Sequence, residues 1–66
     1  MKPETFYLAS ARLGGRLVSL DSDRRAEARR EFEALKQNLP PATANLRGVK
    51  AEIKALEELV LRSVNP

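Results

Sequence analysis

The stretch Leu46–Val60 reads "LRGVKAEIKALEELV", and its apolar residues Leu46, Val49, Ile53, Leu56 and Val60 are separated by three, four, three and four positions. That alternation returns side chains to one face of an α-helix, whereas the faces of a strand alternate with a period of two. An amphipathic helix is therefore predicted, with Lys50, Lys54, Glu57, Glu58 and Arg62 on its outer side. Lys54 with Glu58 and Glu58 with Arg62 stand four apart, where opposite charges contribute about 0.2–0.5 kcal/mol per pair. Ala42, Leu59 and Val64 flank the seam, and what the seam packs against decides the fold.

The preceding segment "NLPPATAN" sets where this helix begins. The first proline disfavours helical geometry at Leu39, a Pro-Pro pair does not fit a helix interior, and Pro41 suits a first turn. Helix three is thus predicted over about 41–64. Upstream, Ala28, Phe32, Leu35 and Leu39 form a narrow apolar stripe in an otherwise charged helix two, over about 23–38. Asp21, Ser22 and Asp23 offer oxygens to the free amides at its start, and the acids suit its positive end. Helix one, about 4–20, opens with Pro3 and Glu4 and carries Phe6, Ala9, Leu13, Leu17 and Leu20 at helical spacing. Gly14 and Gly15 interrupt it, costing roughly 2 kcal/mol relative to alanine, and mark either a kink or the close approach of another backbone. Gly48, on the flank of the seam, would let a neighbouring helix come close. No alternating strand pattern, internal repeat or low-complexity tract occurs. The expected fold is all-α: a small three-helix bundle or helical hairpin with an N-terminal helix, one domain over 1–66, and oligomeric.

Size supports the expectation of self-association. A chain of 66 residues buries only about 60% of the surface its unfolded form exposes. Small scaffolds gain further stability from disulfides, a structural metal, idealised helix packing or oligomerisation. With no cysteine and no histidine, disulfides and thiolate zinc sites are excluded, and only carboxylate-type metal sites remain. The same absences remove the commonest general base and the best nucleophile, leaving Ser10, Ser19, Ser22 and Ser63 without an imidazole to activate them. Gly14-Gly15 follows no strand and lacks the lysine of a phosphate loop. No enzyme activity, catalytic residue, cofactor, metal or small-molecule substrate is expected. No apolar run approaches the roughly 18 residues of a membrane span, and the opening "MKPETFYLAS" is unlike a signal peptide. The chain is read as cytoplasmic, of bacterial or phage type, without a membrane partner.

The net charge of +3 is uneven, since residues 1–30 hold seven Lys or Arg against four acids while residues 31–66 hold five against five. Arg24, Arg25, Arg29 and Arg30 recur in pairs along helix two and suit carboxylate or phosphate. Asp23, Glu27, Glu31 and Glu33 interleave with them, Arg29 can pair with Glu33, and no aromatic residue for base stacking accompanies them.

Helix two offers fewer apolar positions than helix three. Even after helix one fills part of the difference, Tyr7, Leu8, Val18 and Leu61 have no place in a small core. These four, with Arg24, Arg25, Arg29 and Arg30, are the candidate partner-binding residues. The function expected is that of a non-enzymatic helical interaction module, an adaptor, co-chaperone or inhibitor that binds through apolar helix faces as a homodimer or to a larger protein. The alternative is a small basic regulator that lays the helix-two arginines on nucleic-acid phosphates.

The stretch Phe32–Leu46, "FEALKQNLPPATANL", is similar in its helix, proline turn and helix to the second half of the immunoglobulin-binding three-helix modules, chiefly at Phe32, Pro40, Ala44, Asn45 and Leu46. The resemblance covers about a quarter of the chain and implies the fold; helix one differs in length and content, so no antibody binding is carried over. Size and hairpin layout also look like the small helical co-chaperones of type III secretion needles, whose role is to hold a helical partner, although the two share no diagnostic motif.

Overall fold

Pro3 and Pro41 each open a helix, as their fixed φ and missing N–H allow in a first turn. The computed structural model describes residues 2–64, with side chains as far as residue 62. Among them are four helices and no strand: α1 (Pro3–Leu17), α2 (Ser22–Asn38), α3 (Pro41–Ala44) and α4 (Arg47–Val64). The side chain of Val64, expected beside the seam, lies outside the described set.

Helix α1 stops three residues before its expected end. Val18 leaves helical geometry, and the Ser19 N–H turns back to the Arg16 carbonyl at 3.2 Å. The connection to α2 is held by polar groups: Asp21 N–H donates to Ser19 Oγ, and the Arg25 guanidinium donates to the Ser19 carbonyl at 2.6 Å. Asp21 then caps α2, its carboxylate accepting from Asp23 N–H at 2.9 Å. Leu20 therefore lies outside the helix and is 100% exposed, so its expected place in the helix-one seam is corrected.

A second correction concerns the expected helix three, which is two helices. After the single turn of α3, Asn45 N–H bonds Pro41 O and Leu46 N–H bonds Thr43 O, at 3.0 and 3.1 Å. The backbone then re-aims, and Leu46 becomes the residue whose carbonyl accepts the first bond of α4, from Lys50 N–H at 2.9 Å. Thr43, Asn45 and Gly48 all rank low in helix propensity, so little local preference resists the break. Leu46 is 43% exposed, and the buried seam of α4 begins at Val49.

The contacts between helices fix an up-down-up order. Tyr7 and Ser10 of α1 meet Gly48 and Glu52 near the start of α4, so these helices run the same way. Arg16, at the end of α1, meets Glu27 and Glu31 in the first half and middle of α2, which runs the other way. α1 packs extensively on both α2 and α4, and α2 less so on α4. The core comprises Phe6, Leu13 and Leu17 of α1, Ala28 and Phe32 of α2, and Val49 and Leu56 of α4, with Leu35, Ile53, Leu59 and Val60 packed at its edge.

In α1 the slot expected for Ala9 is taken by Ser10, which is buried and donates to the Glu52 carboxylate at 2.6 Å. Every buried side-chain polar atom among the described residues is hydrogen-bonded. Gly14 and Gly15 lie within the continuous span of α1, and beyond their chain neighbours and the helix's own nearby backbone no atom stands within 4 Å of where their Cβ would be. No backbone approaches them closely. At Gly48 the expected close approach is made by a side chain: a Cβ there would collide with Tyr7 Oη.

Candidate docking faces

The residues of α1 sort into two sides. Phe6, Ser10, Leu13 and Leu17 step by four, three and four along the buried line. On the outward side stand Leu8, Ala11 and Gly15, all exposed, with Leu8 at 67%; Val18, just past the helix end, is exposed at 62%. Exposed Glu4 and Arg12 lie four residues before and after Leu8. Tyr7 borders this face but is partly engaged by its own chain, its hydroxyl over Gly48 and its ring edge-on to Phe6 at 5.7 Å. Leu61 is elsewhere: with Val60, Glu57, Phe32, Glu33 and Lys36 it lines a groove of about 220 Å³ between α2 and α4. Leu8 thus stands on the outward face with Tyr7 at its edge, while Val18 is exposed beyond the helix end and Leu61 lies elsewhere.

The four arginines of α2 do not form one stripe. Successive residues turn by about 100°, so Arg30 lies opposite the buried Ala28–Phe32 line, while Arg25 and Arg29 flank that line and are half-buried. Arg25 is used in the α1–α2 connection, and Arg24 approaches Asp21 at 3.9 Å. Arg29 also has a partner within the chain.

The acids interleaved with them are partly taken by other elements. Arg16 of α1 reaches Glu27 at 3.6 Å and hydrogen-bonds Glu31. Lys36 pairs with Glu33 at 3.0 Å and Glu57 at 3.8 Å while lying 4.6 Å from the centre of the Phe32 ring. The pairs expected at Lys54–Glu58 and Glu58–Arg62 are not closed among the described residues, as these side chains project into solvent.

A second concavity, about 450 Å³, runs between α1 and α2 over Ala9, Leu13, Ala34 and Leu35, and is rimmed by Arg12, Arg16, Glu31 and Asn38. It is open, and the Arg16–Glu31 hydrogen bond crosses it. No cluster of three or more acids able to hold a metal occurs among the described residues, and no helix among them is long and apolar enough to cross a membrane. The described surface offers exposed apolar side chains beside single charges. The sequence reading missed Glu4, Ala11, Arg12 and Gly15 as members of the outward face; their signal is the repeated step of four in Glu4–Leu8–Arg12 and in Tyr7–Ala11–Gly15. Comparison with known protein families, curated proteins and solved structures yields no match.

Proposed function

We propose that this protein is a non-enzymatic helical interaction module that docks another protein helix across the outward face of α1. The observation that carries the reading is the exposure of Leu8 in the middle of a regular helix, beside the small side chains of Ala11 and Gly15, with Val18 exposed just past the helix end. Single exposed apolar residues are ordinary, whereas a contiguous group marks association. A helix partner needs just such a strip: apolar side chains to bury, and low positions that let the backbones approach.

The nucleic-acid alternative draws less support. A phosphate-reading surface needs cations on one side, and the α2 arginines are spread around the helix with Arg25 tied to its own chain. The two readings are separated by photo-crosslinking in the native cell, with a photoreactive phenylalanine analogue placed in turn at positions 8, 18, 24 and 30. Discrete protein adducts from positions 8 and 18, lost when Ala11 is also changed to Glu, are the expected result. Nucleic-acid adducts from positions 24 and 30, with no protein adduct from 8 or 18, would overturn the reading in favour of the alternative.

A further inference from the structure

Which partner fits the outward face of α1 can be read from the order of its charges. Glu4, Leu8 and Arg12 form one row with a step of four, the row that makes a ridge on a helix surface. Each charge lies about 6 Å along the axis from Leu8, the acid toward the N-terminus and the base toward the C-terminus. Neither Glu4 nor Arg12 makes an ion pair among the described residues, and both are exposed. Turning such a row end for end exchanges acid and base about Leu8. The row is complementary to its own reverse.

We propose that two copies of this chain pair through α1, antiparallel, about a two-fold axis beside Leu8, with each Glu4 meeting Arg12 of the other copy. The two-fold makes the interface isologous, so both ion pairs form together. The neighbouring row, Tyr7–Ala11–Gly15, is low at Ala11 and Gly15, and the space above Gly15 is open. That leaves a groove beside each ridge for the ridge of the partner. The net charge of +3 does not oppose this contact, because the face itself carries one acid and one base per copy. A crossing of one helix on one helix buries less than the roughly 1,600 Å² of a standard complex, so a weak, reversible dimer is expected.

This inference rests on the reading of α1 as a docking helix, and a charge-reversal series separates the two. Glu4→Arg puts Arg against Arg in the homodimer, and Arg12→Glu puts Glu against Glu; each is expected to lower association at least several-fold in sedimentation equilibrium. Mixing the two variants creates two attractive pairs per heterodimer and is expected to restore association, as is the double variant Glu4→Arg/Arg12→Glu alone. Circular dichroism on each variant checks the fold, and the double variant provides a rescue even if one single variant folds poorly. Wild-type protein that stays monomeric at near-millimolar concentration, or single variants that associate as the wild type does, overturn the proposal. Association lost in Leu8→Asp but not rescued by mixing would discard this register and keep α1 as the docking helix.

Discussion

Ser10 shows how a single side chain ties two helices. It is buried between α1 and α4 and donates to Glu52 at 2.6 Å across 42 positions of sequence. A hydrogen bond to a charged acceptor contributes about 1.5–3 kcal/mol, so Ser10→Ala should destabilise the protein by roughly that much, which urea unfolding would measure. The glycines predict the opposite sign. Gly14 lies in a helix interior with free space where a Cβ would stand, so Gly14→Ala should stabilise by about 1 kcal/mol and raise Tm by about 4–8 °C. Gly48→Ala should instead displace the Tyr7 hydroxyl, since the added Cβ collides with it; tyrosine fluorescence would become more accessible to a soluble quencher. Sequence alone could not see the role of Ser10. Ala9 and Ser10 are neighbours on the helix, hydrophobicity favours the alanine for the core, and the acid that satisfies the serine lies on a distant element.

At the scale of elements, the three main helices were legible because their apolar residues recur at helical spacing, with Pro3 and Asp21 marking the starts of α1 and α2; the start of α4 at Arg47 was not, because Pro41 opens the separate turn α3. Helix ends were less legible. Nothing in the apolar pattern distinguishes Leu20 inside a helix from Leu20 in a loop, and the break at Asn45–Leu46 comes from low local propensity together with tertiary packing. The corrected boundary makes a direct prediction. Leu56→Ala, at a buried position, should cost about 2–5 kcal/mol, a large part of the 5–15 kcal/mol typical of a whole domain. Leu46→Ala should cost about 0.5 kcal/mol or less, as expected of surface positions, although both leucines belong to the same sequence seam. Asp21→Ala should cost about 1 kcal/mol through loss of the α2 cap. Thermal unfolding of the three variants side by side tests the order.

For the whole molecule, α1 is the pivotal element. One side of it supplies three of the seven apolar core residues among the described residues, while the other carries Leu8 in the open, with Val18 exposed just past its end. The excess of apolar residues was visible in the sequence, because the narrow stripe of α2 falls short of the seam of α4. Its location was not, because exposure depends on which flank of α1 each neighbour covers: α4 lies over Tyr7, α2 lies beside Arg16, and the arc between them is left uncovered. Leu61 instead lines the groove between α2 and α4, and the turn of about 100° per residue spreads the arginines around α2. The central claim, that the outward face of α1 is a docking surface for another copy of this chain, is tested most directly by sedimentation equilibrium of the wild type and Leu8→Asp from micromolar to near-millimolar concentration, at low and high salt. The account predicts a reversible dimer that persists with only modest weakening at high salt, and a folded monomer for Leu8→Asp. A wild type that remains monomeric, or a Leu8→Asp variant that dimerises equally well, would contradict it.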